Sequence, residues 1–207
     1  MNKIIPIFPL NITVYPQSRY PLHIFEERYK KLIKKCLGEN SGFGICANLK
    51  DSISEIGVYV KVTEVLKKHP DGEMDILVRG ENRFIRRSLE LHSDGYYQSL
   101  IEEYFDIDNE FDQILFNQLE EKLKSLLTQL KFNLGESFWK NLEATRQKAF
   151  KIAEKSGLTI QQQQELLLIQ KENERFNFLL NHLNNLEDRL KENLTTREIV
   201  LGDGYIN

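Results

Sequence analysis

Cysteine is scarce in this chain of 207 residues: Cys36 and Cys46 are the only two. They lie on either side of a glycine-containing turn, and without a secretion signal they are expected to be free, buried thiols. A signal needs an unbroken apolar stretch followed by a small-residue cleavage site, whereas Pro6, Pro9 and Pro16 interrupt the opening MNKIIPIFPLNITVYP. No apolar run approaches the ~20 residues of a membrane span. A cytoplasmic location is therefore expected, and the sequons at Asn11 and Asn193 are without consequence. A basic excess is also missing. Lys and Arg number 28 against 31 Asp and Glu, a net charge of -3, which counts against a dedicated nucleic-acid binder. The remaining composition, 41% hydrophobic and 29% charged, suits one large soluble domain or two small ones.

Catalytic motifs are lacking as well. No glycine is followed by lysine, so the phosphate loop G-x-x-x-x-G-K-[ST] cannot be written, and none of the ten serines sits in a G-x-S-x-G elbow. His23, His69, His92 and His182 are far apart in sequence, with no HExxH and no clustered cysteines, so each is expected to be structural or superficial. Gly42-Phe43-Gly44-Ile45-Cys46-Ala47 fits G-x-G-x-x-A. That fingerprint needs a strand before it and a helix after it; here the order is reversed, and it is rejected. No catalytic residue, cofactor or metal ligand is assigned.

Two regimes of periodicity divide the chain. All five prolines precede residue 107. Val58, Val60 and Val62 alternate with Tyr59, Lys61 and Thr63, Met74, Ile76 and Val78 alternate with Asp75, Leu77 and Arg79, and His69-Pro70-Asp71-Gly72 supplies the turn of a hairpin. Arg79-Gly80-Glu81-Asn82 is expected to turn the chain again into a strand from Phe84 to Leu91. Another strand should follow from Tyr96 to Glu103. Successive short strands suggest a sheet that curls into a barrel. One helix, from about His23 to Leu37, interrupts them, with Phe25, Tyr29, Leu32, Ile33 and Cys36 facing the core, Lys30, Lys31, Lys34 and Lys35 mostly on the other side, and Gly38 as its stop.

After Asp106 the period becomes 3.6. Ile114 to Leu130 marks one helix, Phe138 to Ile152 a second, Thr159 to Gln170 a third with Thr159 as N-cap, and Phe176 to Leu190 the clearest stripe. The expected organisation is α+β: a β-rich unit over residues 1–106, a helical bundle over 107–192 and a tail over 193–207.

The first unit also carries a collinear series of short motifs. Pro9-Leu10, Pro16, Pro21-Leu22, His23-Ile24-Phe25-Glu26 and Arg28-Tyr29 come first. Phe43-Gly44-Ile45, Ile56-Gly57, Val62 to Val65, Asp71-Gly72, Leu77-Val78-Arg79-Gly80 and Arg83-Phe84 follow in order. The series resembles the amino-terminal, substrate-binding domain of the Lon protease family, and the helices beyond Ala149 resemble the segment that follows the sheet there. Glu27 departs from the family, which often has proline at that position. The resemblance implies a PUA-like β pseudobarrel packed to a helical bundle. With the phosphate loop and the serine elbow missing, a stand-alone member without the ATPase and Ser-Lys protease domains is expected, one that binds protein and does not cut it.

Most signature positions have plain structural roles on this reading. Pro16 and Pro21 stiffen a turn, Phe25 and Tyr29 belong to the core, Glu26 and Arg28 pair with neighbours, and Gly57 and Gly80 serve backbone turns. The family implies unfolded or partly unfolded proteins as partners, and a Lon-type protease as a further one. An apolar groove between sheet and bundle could take such a segment, lined by Tyr59, Tyr96, Tyr97 and Phe105, although core packing accounts for each aromatic equally well. The alternative is RNA, met by Arg79, Arg83, Arg86 and Arg87 near Phe84.

Overall fold

The proline-punctuated opening folds into two strands, β1 (Lys3–Leu10) and β2 (Arg19–Ile24), ahead of helix α1 (Glu27–Glu39). The computed structural model describes residues 3–108 and 110–202, the side chains of 193–202 excepted. β2 is an edge strand paired only with the strand that carries Met74 to Arg79, and an edge accommodates Pro21, which has no N–H to donate. Its presence corrects the expected helix start: Ile24 ends a strand, Glu26 is an extended N-cap, and Glu27 supplies an acid in the first turn. Gly38 does not stop the helix either. Asn40, left-handed at φ 50, ends it, and its N–H and that of Ser41 both reach the Cys36 carbonyl.

β3 (Phe43–Asn48), β4 (Ile53–Lys68), β5 (Met74–Arg86), β6 (Glu90–Leu91) and β7 (Tyr97–Tyr104) complete the sheet. β4 and β5 form the expected hairpin, with Gly72 at φ 84 in its turn. The second expected turn, at residues 79–82, is not one. β5 runs through it, and a register shift between Val58 and Val60 absorbs one extra β5 residue as a bulge. Gly80 is held there by the loop before β2, donating to the Ser18 carbonyl and accepting from Gln17 N–H. A Cβ on Gly80 would lie 2.2 Å from the Tyr15 carbonyl oxygen, so glycine is needed for this close approach.

The strand order is β2-β5-β4-β3-β1-β7-β6, and a further β5–β7 pairing closes β5, β4, β3, β1 and β7 into a barrel. The closure includes a parallel β1–β3 pair, with Pro9 opposite Cys46 and Leu10 opposite Ala47. Alternation along the strands sends Ile5, Ile7, Cys46, Phe84 and Ile101 into one small cluster. Phe8, Ile45, Val58 and Val60 go to a second and larger one, which α1 covers with Tyr29, Leu32, Ile33 and Cys36. Tyr29 stacks on Phe8 with ring centroids 3.8 Å apart.

That larger cluster continues into the helices through Phe150, Phe176, Leu179 and Leu183, so sheet and helices share one apolar interior. The helices are α2 (Gln113–Gln129), α3 (Glu136–Ala144), α4 (Lys148–Ala153), α5 (Ile160–Leu168) and α6 (Glu172–Gly202). Asp112 caps α2, and Thr159 caps α5 through a reciprocal capping box with Gln162. The single helix expected over Phe138 to Ile152 is two. Thr145 is extended at ψ 145, and Lys148 Nζ satisfies the freed carbonyls of Leu142 and Glu143. α6 continues into the stretch expected as a tail, and residues 203–207 lie outside the described residues. No helix among the described residues is long and apolar enough to cross a membrane.

Both cysteines are free and buried, and burial pushes the Cys46 thiol up to about 12. At pH 8 a thiol-specific chromogenic reagent is therefore expected to leave Cys46 unmodified in the folded chain and to titrate it on unfolding. Stoichiometric labelling of Cys46 without denaturant, located by peptide mass, would contradict this placement.

Candidate functional site

Where β7 ends and the helices begin, Asp106 receives two guanidinium groups. Arg175 of α6 meets it end-on, Nη1 to Oδ1 at 2.8 Å and Nη2 to Oδ2 at 2.6 Å, and Arg83 of β5 pairs with Oδ1. Arg175 also donates to Glu172 at 2.8 Å, whose other oxygen accepts the Ala149 N–H of α4 at 2.8 Å. Arg83 donates to the carbonyls of Leu167 and Ile169 at the end of α5. Phe150 lies beneath both cations, 4.6 Å from Arg175 and 5.5 Å from Arg83. Two cations and two carboxylates thus tie β5, β7, α4, α5 and α6 together.

Burial acts first on each member of this network. It pulls Arg83 down to about 10, still protonated at neutral pH, and it raises Glu172 above the ordinary carboxylate range. It also pushes against the charged forms of Asp106 and Arg175, but their mutual hydrogen bonds and charges win. The net result is a lowered Asp106 and a raised Arg175.

Above this network lies a cleft of about 970 Å³, lined on one side by residues 79–83, 104–106, 108, 110 and 111 and on the other by residues 143–148. A smaller one of about 480 Å³ shares Pro16, Gln17, Arg79, Thr145 and Gln147 with it and adds Arg19 and Lys151. The groove between sheet and helices is thus present, but polar: its floor carries Arg83, Asp106, Glu172 and Arg175. Its apolar character is at the rim, where the connection from β7 to α2 exposes Phe105 at 55%, Ile107 at 65% and Phe111 at 40%. Arg79 and Arg146 are exposed at the mouth and make no ion pair among the described residues. Arg79 lies in register with Arg19 on one side and Lys61 on the other, a row of like charges that neighbouring strands normally avoid.

Of the four aromatics proposed to line a groove, only Phe105 does so. Tyr96 is 1% exposed and stacks on His92, its ring captured by the core. Tyr59 is half-buried, accepts the Gly42 N–H through its hydroxyl and carries Lys3 over its ring; Tyr97 packs beside Ile7 and Ile101. Phe25 is not in the core: it is 57% exposed and stacks on His23. The preceding strand sets this, because Ile24 takes the inward position.

Glu26 and Arg28 pair with each other at 2.7 Å. Lys30 is buried, capped by Glu27 and the Asp71 carbonyl, and not on the wet side of α1. The basic cluster around residues 79–87 is dispersed. Arg83 is buried, Arg86 bonds the carbonyls of Ile53 and Ser54, Arg87 pairs with Glu102, and Phe84 is 1% exposed. Only Arg79 is left open.

Two clusters have little signal in the sequence. Glu172 and Arg175 are an i,i+3 pair on α6, but Asp106 joins them only through the tertiary fold. The same holds for His23 and His69, which come together around Asp75, Nδ1 of His23 2.7 Å from Oδ1 and Nε2 of His69 3.0 Å from Oδ2.

A closed mixed barrel joined by buried ion pairs to a helical layer, with an open cleft at the joint, defines a two-part α+β domain. The chain belongs to the family of the ATP-dependent protease La (LON) substrate-binding domain, whose model matches residues 4–185, sheet and helices alike. It is similar to a Lon protease of Dictyoglomus thermophilum, 29% identical over an alignment of 178 residues, with coverage of 80% of this chain and 22% of that protein. The chain thus spans about a fifth of that relative's length. Its fold is similar to a Lon N-terminal domain protein from Xanthomonas campestris, with a TM-score of 0.68, 23% identity, and coverage of 86% of this chain and 98% of that one. It is also similar to the N-terminal domain of Mycobacterium avium complex Lon protease, with a TM-score of 0.64, 20% identity, and coverage of 88% and 98%.

Proposed function

We propose that this chain is a non-catalytic module that holds extended or partly unfolded protein segments in the cleft between barrel and helices. The observation that carries the reading is the juxtaposition at the cleft mouth of exposed Phe105 and Phe111, with exposed Ile107 on the same connection, and of Arg79 and Arg146, which make no ion pair among the described residues. Exposed apolar side chains in a row cost free energy unless something covers them, and unpaired guanidiniums beside them favour segments that mix apolar and acidic residues. Delivery of such segments to a Lon-type protease is the role the family suggests. No turnover of ATP, casein or fluorogenic peptides is expected.

The RNA alternative keeps little support, since Arg83, Arg86 and Phe84 are committed to the fold and Arg87 is paired with Glu102 at the surface. Titration of the chain with a reduced, labelled, unfolded protein tests the reading. A complex at micromolar concentration is expected, weakened about tenfold or more by Phe105→Ser together with Arg79→Glu. No complex, or an affinity unchanged in the double variant, would overturn it. Binding of single-stranded RNA that weakens steeply with salt would favour the alternative.

A further inference from the structure

We infer that His23, His69 and Asp75 form a binding site for a divalent transition-metal ion of the zinc type. None of the three lines the cleft, and the site is independent of what the cleft binds. His23 lies on β2 and is the cross-strand partner of Asp75 on β5. His69 opens the β4–β5 turn and is held there by its N–H to the Glu73 carbonyl at 2.9 Å and by the Gly72 N–H to its own carbonyl at 3.0 Å. Hydrogen-bonded backbone therefore presents all three side chains to one point.

The donor set is two imidazole nitrogens and a carboxylate, which suits zinc, copper and nickel better than the harder calcium or magnesium. The three ligand atoms lie within 4.8 Å of one another. Zinc bonds of 2.0–2.2 Å in tetrahedral geometry place donors about 3.4 Å apart, so side-chain shifts on the order of 1 Å would seat the ion. It would take the place of the two protons that Asp75 now shares with the rings, and water would complete its coordination.

Two further observations separate this from an ordinary surface ion pair. Glu73 stands 3.2 Å from Nε2 of His23, the nitrogen left over when Nδ1 ligates, and a carboxylate there is the usual means of orienting a ligating imidazole. No lysine or arginine among the described residues pairs with Asp75, not even Lys67, its β4 neighbour in register. The consequence is mechanical: a bound ion clips the edge strand β2 to the hairpin tip, beside the exposed ring of Phe25.

Calorimetric titration of the metal-stripped chain with Zn2+ tests the site, with Co2+ as a spectroscopic probe of coordination. One equivalent is expected to bind, with d–d absorption for Co2+. Saturating Zn2+ is expected to raise the thermal midpoint by about 5 °C. His69→Ala and Asp75→Asn, shown folded by circular dichroism, should each weaken binding by at least about tenfold, while His92→Gln leaves it unchanged. Titration that does not saturate near one equivalent, or an affinity the same in all variants, overturns the proposal. Unchanged imidazole NMR signals of His23 and His69 on adding Zn2+ would do so equally.

Discussion

Asp106→Ala is expected to destabilise the chain by about 3–5 kcal/mol, because it strands the buried Arg83 guanidinium without a counter-charge and leaves buried Arg175 with Glu172 alone. The side chains of Arg175 and Arg83 are 0% and 2% exposed, and they meet no second shared carboxylate: Glu172 serves Arg175 alone. Urea unfolding followed by circular dichroism measures the loss; a change under about 1 kcal/mol would show that water or relaxation replaces the carboxylate. The pH dependence separates charge from shape. Asp106 has a folded pKa below its unfolded value, so its contribution is present above about pH 4 and is lost as pH falls through the folded value. The gap between wild type and Asp106→Asn should therefore be widest near neutrality and narrow in acid. Since the same network floors the cleft, a variant that survives folding should also bind unfolded protein less well.

Phe84→Ala is expected to cost about 3–5 kcal/mol by opening a cavity in the small barrel cluster, where the ring is 1% exposed. The space for that ring is made by glycine. A Cβ on Gly44 would lie 2.6 Å from Cζ of Phe84 and 2.8 Å from Cδ1 of Ile7, both side-chain atoms. Gly44→Ala alone should cost about 1–3 kcal/mol through overpacking. In the Phe84→Ala background the clash with the ring is gone, and the cost should fall. A double-mutant cycle would show coupling on the order of 1 kcal/mol. Additive losses would mean that the two residues do not share this space.

The Gly42–Ala47 fingerprint can be understood in the same terms. Its glycines leave room for a tyrosine hydroxyl and a phenylalanine ring, and no phosphate is needed to account for them.

Local periodicity was a reliable guide wherever one face of an element is wet. The β4–β5 hairpin, the α2 and α6 stripes and the Thr159 cap all follow from residue spacing. It misled where a local signal competes with a distant partner. Arg79-Gly80-Glu81-Asn82 has the composition of a turn, yet pairing with β4 and with the loop at Gln17 and Ser18 keeps it extended. Phe25 continues the helical spacing of α1, but Ile24 takes the buried position at the end of β2, and Phe25 is left outside. The Phe138 to Ile152 stripe is continuous in sequence, although Thr145 breaks the backbone to bond Gln17.

The residues in order determined the family, the division into a β-rich and a helical half, and the period of each element, because these depend on neighbours a few positions away. Barrel closure through β5 and β7, the Asp106–Arg175 floor of the cleft and the meeting of His23 with His69 were decided only by tertiary structure. Each joins segments distant in the chain, and no local pattern encodes which charge will find which partner once the apolar faces have packed.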